Sequence, residues 1–134
     1  MQWVDVPIRV RYADTDRMGI VYHGFYPMYF ETGRTEFMRE KGCEYRTFED
    51  MGFHLVVTAL EAKYHSTATY DDLLIVRTAV SEVKSRGVTF EYNVFHDGTL
   101  VVEGRTRHVC MNGEKRAIRL PPPLLDFLRN VESP

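Results

Sequence analysis

Apolar and polar residues alternate at the start of the chain. Val4, Val6, Ile8 and Val10 fall at period two, which predicts a half-buried strand over Val4–Tyr12. Between Asp14 and Gly24 the alternation stops, and Gly19 and Gly24 mark a loop. The period then changes. Tyr26, Phe30, Gly33 and Phe37 recur at i, i+4, i+7 and i+11, while Arg34, Arg39 and Lys41 lie off that stripe. This spacing predicts a helix of about four turns, buried along one side. Pro27 suits its first turn, where a missing N–H breaks no helical bond, and Gly42 is a natural stop. A glycine in mid-helix costs about 1 kcal/mol against alanine, so Gly33 marks a close approach to a sheet.

Four strand-like segments follow: His54–Tyr64, Leu73–Lys84, Val88–Phe95 and Leu100–Met111. In the third, Val88, Phe90, Tyr92 and Val94 alternate with Thr89, Glu91, Asn93 and Phe95. In the last, Leu100, Val102, Gly104, Thr106, His108 and Cys110 form one row, and Glu103, Arg105 and Arg107 form the wetter one. Asp97-Gly98 between two such strands is a strong hairpin signal, and Ser85-Arg86-Gly87 reads as a second tight turn. Pro121–Val131 reads as a short closing helix. One long helix followed by four long antiparallel strands predicts an α+β architecture, with a sheet curled around the helix. Five strands cannot easily enclose such a helix, so a dimer joining two sheets edge to edge is expected.

Composition narrows the function. The 134 residues suit one domain, spanning 1–134, with no internal repeat or low-complexity linker. Apolar residues at 44% fit a packed core. A net charge of -2 supplies no field for nucleic acid, so a phosphate-bearing ligand would need local Arg or Lys side chains. No apolar run is long enough to span a membrane, and the N-terminus lacks the pattern of a secretory signal. Cys43 and Cys110 occur in no metal or redox spacing and read as reduced thiols of a cytosolic protein. His54, His65, His96 and His108 make no ligand motif, so no metal is expected, and nothing calls for a cofactor.

The chemistry concentrates in Arg11-Tyr-Ala-Asp14-Thr-Asp16-Arg-Met-Gly19-Ile-Val-Tyr22-His23-Gly24-Phe-Tyr26. Two carboxylates stand just after a strand, and a glycine turn stands just before a helix. The first N–H groups of a helix are unpaired and carry partial positive charge, which suits an oxyanion formed at a thioester or ester carbonyl. A carboxylate at the base of the loop could activate water or attack that carbonyl. Spacing alone favours Asp14 and Asp16 as turn and capping residues, their commoner role.

The segment resembles the signature of the 4-hydroxybenzoyl-CoA thioesterase family, especially its YbgC-like branch. That signature runs Tyr-x-Asp-Thr-Asp-x-x-Gly-x-x-Tyr-His, then an aromatic helix with Phe-Glu-x-x-Arg-x-Glu. Tyr12, Asp14, Thr15, Asp16, Gly19, Tyr22, His23, Phe30, Glu31, Arg34 and Glu36 stand at the matching places. The likeness covers nearly the whole chain, through Lys115-Arg116-Ala-Ile-Arg-Leu-Pro121. Pro27 and Gly33 depart from it, where a non-proline residue and alanine are usual.

The resemblance implies a hotdog fold, an antiparallel sheet wrapped around one long central helix, with active sites at a dimer interface. It implies an acyl-CoA thioesterase acting on a small or medium acyl-CoA, or on an acyl-carrier protein, as a homodimer or dimer of dimers. Asp16 becomes the catalytic carboxylate, and backbone N–H groups near His23 and Gly24 polarise the thioester carbonyl. The His23 side chain either orients water there or closes the loop. Gly19 and Tyr22 shape the site. Glu31 is a second carboxylate or, by its i, i+3 spacing, the partner of Arg34. Asp14 is expected to point elsewhere in an extended segment. Lys84, Arg86, Arg116 and Arg119 are candidates for the phosphates of CoA, with Arg86 preferred for its place on a turn tip. Two rivals remain: a hotdog hydroxyacyl thioester dehydratase, which uses a catalytic His paired with an acid, and a non-catalytic acyl-binding module.

Overall fold

The computed structural model describes residues 1–132. Strand β1 (Trp3–Arg9) leads through a loop to helix α1 (Tyr26–Glu40) and a short helix α2 (Tyr45–Asp50). Strands β2 (His54–Tyr64), β3 (Leu73–Lys84), β4 (Gly87–His96) and β5 (Thr99–Met111) follow, and α3 (Pro122–Glu132) closes the chain. The five strands form one antiparallel sheet in the order β1-β3-β4-β5-β2. Its register skips Ser81 of β3, Thr58 of β2 and Val101 of β5, and such irregularities bend strands. The Val101 irregularity explains why Val101 and its neighbour Val102 are both buried, against strict alternation.

The helix stripe is the one the spacing predicts. Tyr26, Phe30, Gly33 and Phe37 are all buried, joined by Tyr29 and Met38. Phe30 stacks on Tyr92 with ring centroids 4.5 Å apart, and Phe37 meets Phe90 edge-on at 6.2 Å. Two glycines permit this contact. A Cβ on Gly33 would lie 2.6 Å from Thr78 Oγ1 and 2.8 Å from Val76 Cγ1, and one on Gly104 would enter the Phe30 ring. The helix ends in a Schellman motif. Gly42 has φ 96°, its N–H donates to Arg39 O at 3.1 Å, and Cys43 N–H donates to Met38 O at 2.8 Å. Leu124, Leu128 and Val131 are the buried residues of α3, which packs on β3.

Three local expectations change. The first strand ends at Arg9, not Tyr12. Val10 instead exchanges backbone bonds with the turn at Asp71-Asp72, and Tyr12–Asp14 forms a 3-10 turn. Helix α2 has no counterpart in the sequence reading, because six residues are too few to show a period. Glu31 and Arg34 do not pair; Arg34 turns inward and donates to the Tyr92 hydroxyl at 3.5 Å.

Candidate active site

The loop before α1 is a stitched structure. Thr15 and Val21 form an antiparallel bridge, closed by a turn in which Gly19 N–H donates to Asp16 O at 3.0 Å. Gly19 sits at φ 79°, a conformation costly for any side chain. Val21 N–H donates to Ala68 O at 2.8 Å, fastening the loop to the β2–β3 connection. Tyr22 N–H then donates to Asp14 O at 2.9 Å, and a 3-10 turn at His23–Phe25 opens into α1.

The two carboxylates have different surroundings. Asp14 is 1% exposed and fully engaged. It accepts Tyr29 Oη at 2.8 Å, and Arg11 backbone N–H and Nε at 3.1 Å each. Burial and this carboxylate raise the Tyr29 phenol above its ordinary pKa, so it remains a donor. Asp14 therefore points elsewhere than Asp16, as expected, but it does so into the helix–loop junction from a 3-10 turn and not from an extended segment. Asp16 is half-buried and keeps reserve capacity: one oxygen accepts Met18 N–H at 2.8 Å, and the other has no partner among the described residues.

The turn that precedes α1 carries the complementary groups. The N–H groups of His23 and Gly24 donate to no acceptor among the described residues. A Cβ on Gly24 would come 2.7 Å from the Tyr22 ring, so glycine lets that ring pack against the turn. The exposed His23 ring lies 4.5 Å from that of Tyr22 and 6.3 Å from that of Tyr64, centroid to centroid. Tyr64 Oη donates to His23 O at 2.8 Å, tying the turn to the end of β2. Asp16, Gly19, Tyr22, His23 and Gly24 thus share one braced segment.

Glu31 lies farther along α1, exposed, on the wall of a cleft of about 480 Å³. Arg86 is not brought to this site within one chain. β3 starts beside the loop at Leu73 and runs to Lys84, a rise of about 3.3 Å per residue, which puts the Ser85-Arg86 turn at its far end. Lys84 shares that end, and Leu120 N–H bonds Ser85 O there, so the Arg116–Arg119 stretch is anchored to it as well. Arg17, exposed and next to Asp16, is the cation the sequence reading passed over.

The cleft also holds a group that motif reading missed. Under α1 a polar chain crosses the sheet. Tyr92 Oη is 2.6 Å from Thr106 Oγ1, which is 2.8 Å from His108 Nε2, and His108 Nδ1 is 3.3 Å from Leu55 O. Donor logic gives it one direction. Leu55 O can only accept, so Nδ1 carries the proton; Thr106 then donates to Nε2, Tyr92 to Thr106, and Arg34 to Tyr92. Burial, reinforced by the Arg34 charge, lowers the His108 pKa to about 4, so the ring is neutral at pH 7.

A family profile described as the thioesterase-like superfamily matches residues 10–129, most of the chain. The chain belongs to the thioesterase-like superfamily. Curated relatives agree. The acyl-CoA thioesterase YbgC of Haemophilus influenzae is 35% identical over 117 residues, 86% of each chain. The acyl-CoA thioester hydrolase YbgC of Escherichia coli is 29% identical over 87% of each. Among solved structures, a DHNA-CoA thioesterase from Staphylococcus aureus superposes with a TM-score of 0.95 at 29% identity, covering 99% of this chain and 93% of that one. A hypothetical protein from Thermus thermophilus gives 0.92 at 35% identity, covering 97% and 98%. This superfamily member accordingly has the hotdog fold and is a thioester hydrolase of the acyl-CoA thioesterase kind. Among its described residues no helix is long and apolar enough to cross a membrane.

Proposed function

We propose that the protein hydrolyses the thioester of a small or medium acyl-CoA to the free acid and CoA thiol, with Asp16 as general base or nucleophile. The observation that carries this reading is the pairing, on one braced loop, of a carboxylate with an unused oxygen and two unused backbone N–H donors at the start of α1. Attack on the thioester carbonyl moves negative charge to its oxygen, and in this reading the unpaired His23 and Gly24 N–H groups receive that charge. The exposed His23 ring stands beside those donors and assists by orienting water or the carbonyl. Gly19 and Tyr22 hold the loop's shape.

The site works as a homodimer, or a dimer of dimers, formed across β2. Tyr64 joins the end of β2 to His23, so a second copy pairing with this edge lies next to the catalytic turn. In such an assembly Arg86 serves a CoA bound by another subunit, since its own loop is too distant. The names of the relatives favour CoA over an acyl-carrier protein as the thiol carrier, and the two free cysteines fit a cytosolic setting.

The test is Asp16→Asn, assayed by thiol release from one acyl-CoA, with circular dichroism to confirm folding. The side chain keeps its size but loses charge and basicity, so kcat should fall by at least about 10²-fold, the lower range for a positioned acid–base group. A folded Asp16→Asn protein that turns over near the wild-type rate would sink the assignment. Hydration of an enoyl thioester by the wild type, without hydrolysis, would favour the dehydratase; binding without turnover would favour an acyl-binding module.

A further inference from the structure

The His23–Gly24 peptide is the centre of a four-residue turn, and its orientation decides where the Gly24 N–H points. The turn runs Tyr22-His23-Gly24-Phe25 and is closed by Phe25 N–H donating to Tyr22 O at 2.8 Å. Its 3-10 geometry is that of a type I turn, and Gly24 does not use the left-handed φ open to glycine. A type II turn keeps the same closing bond but rotates the central peptide by about 180°, and it requires a positive φ at the third residue. Glycine stands at that residue here, so backbone sterics allow the flipped form as well.

The C=O and N–H of a planar trans peptide point in opposite directions. A flip would therefore carry the Gly24 N–H to the other side of the turn. No side chain caps this turn at Tyr22. The 3-10 geometry aims the His23 carbonyl at the Tyr26 N–H, but bonds of this i to i+3 kind are poorly aligned. The contact from outside the turn is Tyr64, whose Oη donates to His23 O at 2.8 Å. Tyr64 is itself held. It pairs with Val102 in the sheet register, and the next two N–H groups, those of His65 and Ser66, both donate to Val101 O at 2.8 and 3.1 Å. Its ring lies 5.8 Å from that of buried Tyr26, centroid to centroid. A well-anchored donor at the end of β2 thus fixes one carbonyl of a turn that glycine leaves free to flip.

On the reading that the Gly24 N–H stabilises the thioester oxyanion, we infer that Tyr64 is a positioning residue for hydrolysis, whose hydroxyl holds the His23–Gly24 peptide in the orientation that presents this donor. The same bond polarises the peptide, since linked hydrogen bonds strengthen one another.

The experiment is Tyr64→Phe, which removes the hydroxyl and keeps the ring on the β2 edge. Catalysis scales with the fraction of molecules in the competent orientation. For an acyl-CoA that the wild type hydrolyses, kcat/KM should fall by about three- to tenfold, the worth of one ordinary hydrogen bond. Light scattering should show the wild-type assembly unchanged. A flip also brings the Gly24 N–H against the His23 Hα, so the nuclear Overhauser effect between these protons should be weak in the wild type and stronger in Tyr64→Phe. Unchanged kcat/KM overturns the inference. So does a fall without the stronger Overhauser effect, or one that comes only with loss of the assembly. Asp16→Asn keeps the two readings apart: an enzyme that this substitution disables and Tyr64→Phe does not keeps its thioesterase assignment and loses this inference. A wild type that hydrolyses no acyl-CoA removes both.

Discussion

Two aspartates separated by one residue have opposite surroundings here and, on the proposed mechanism, opposite duties. Asp14 is buried and saturated with bonds from Arg11 and Tyr29; Asp16 is half-exposed and has an oxygen to spare. Substitution should separate the duties. Asp14→Asn replaces a charged acceptor at a buried junction with an amide whose NH₂ cannot accept, and losing charge-assisted bonds costs roughly 1.5–3 kcal/mol. Urea unfolding should show that loss for Asp14→Asn, and a much smaller one for Asp16→Asn, whose defect should lie in kcat. If Asp14→Asn is as stable as wild type, the bonds to Arg11 and Tyr29 do not brace the loop.

At the scale of elements, the contact between α1 and the sheet depends on glycine. Helix propensity alone would make Gly33→Ala stabilising by about 1 kcal/mol. The added methyl would meet Thr78 Oγ1 and Val76 Cγ1 inside van der Waals distance, and overpacking a filled core costs about 1–3 kcal/mol. The net change should be destabilising. Thr78 Oγ1 is also a buried hydroxyl with no partner among the described residues. Adding Thr78→Ala should therefore recover part of the loss, giving a favourable coupling in a double-mutant cycle. Strict additivity would show that the helix shifts to absorb the methyl.

At the scale of the whole molecule, the two edges of the sheet are not equivalent. β1 carries Pro7 with charged Asp5 and Arg9, features that discourage further pairing. β2 is an eleven-residue edge without proline, and Val56, Val57, Leu60 and Tyr64 on it are exposed. A long apolar edge of this kind calls for a partner strand, and a second copy supplies one by two-fold symmetry. Light scattering should find a dimer or a larger even assembly. Leu60→Lys, which puts a charge on that edge, should shift the population toward monomer and lower turnover with it. A wild-type monomer with full activity would remove β2 from the argument.

The fold was legible because its signals are local and periodic. The helix stripe at Tyr26, Phe30, Gly33 and Phe37, the alternation in β4 and β5, and the Asp97-Gly98 turn each follow from a side-chain period or a backbone preference that a few neighbouring residues express. The loop before α1 was legible from its glycines, while its reading as a catalytic site rests on motif resemblance, since spacing could not tell a catalytic aspartate from a turn residue. What tertiary structure alone decided is who faces whom. Burying Asp14 required Tyr29, fifteen residues away, and turning Arg34 from Glu31 required Tyr92 across the sheet. Arg86 reads as a reachable turn tip in sequence, yet the length of β3 carries it away from the Asp16 loop of its own chain. Arg34 comes from α1, and the polar chain it joins, Tyr92, Thr106 and His108, comes from two strands. No window of sequence contains such a meeting, because it is set by the register of the sheet and the packing of α1 against it.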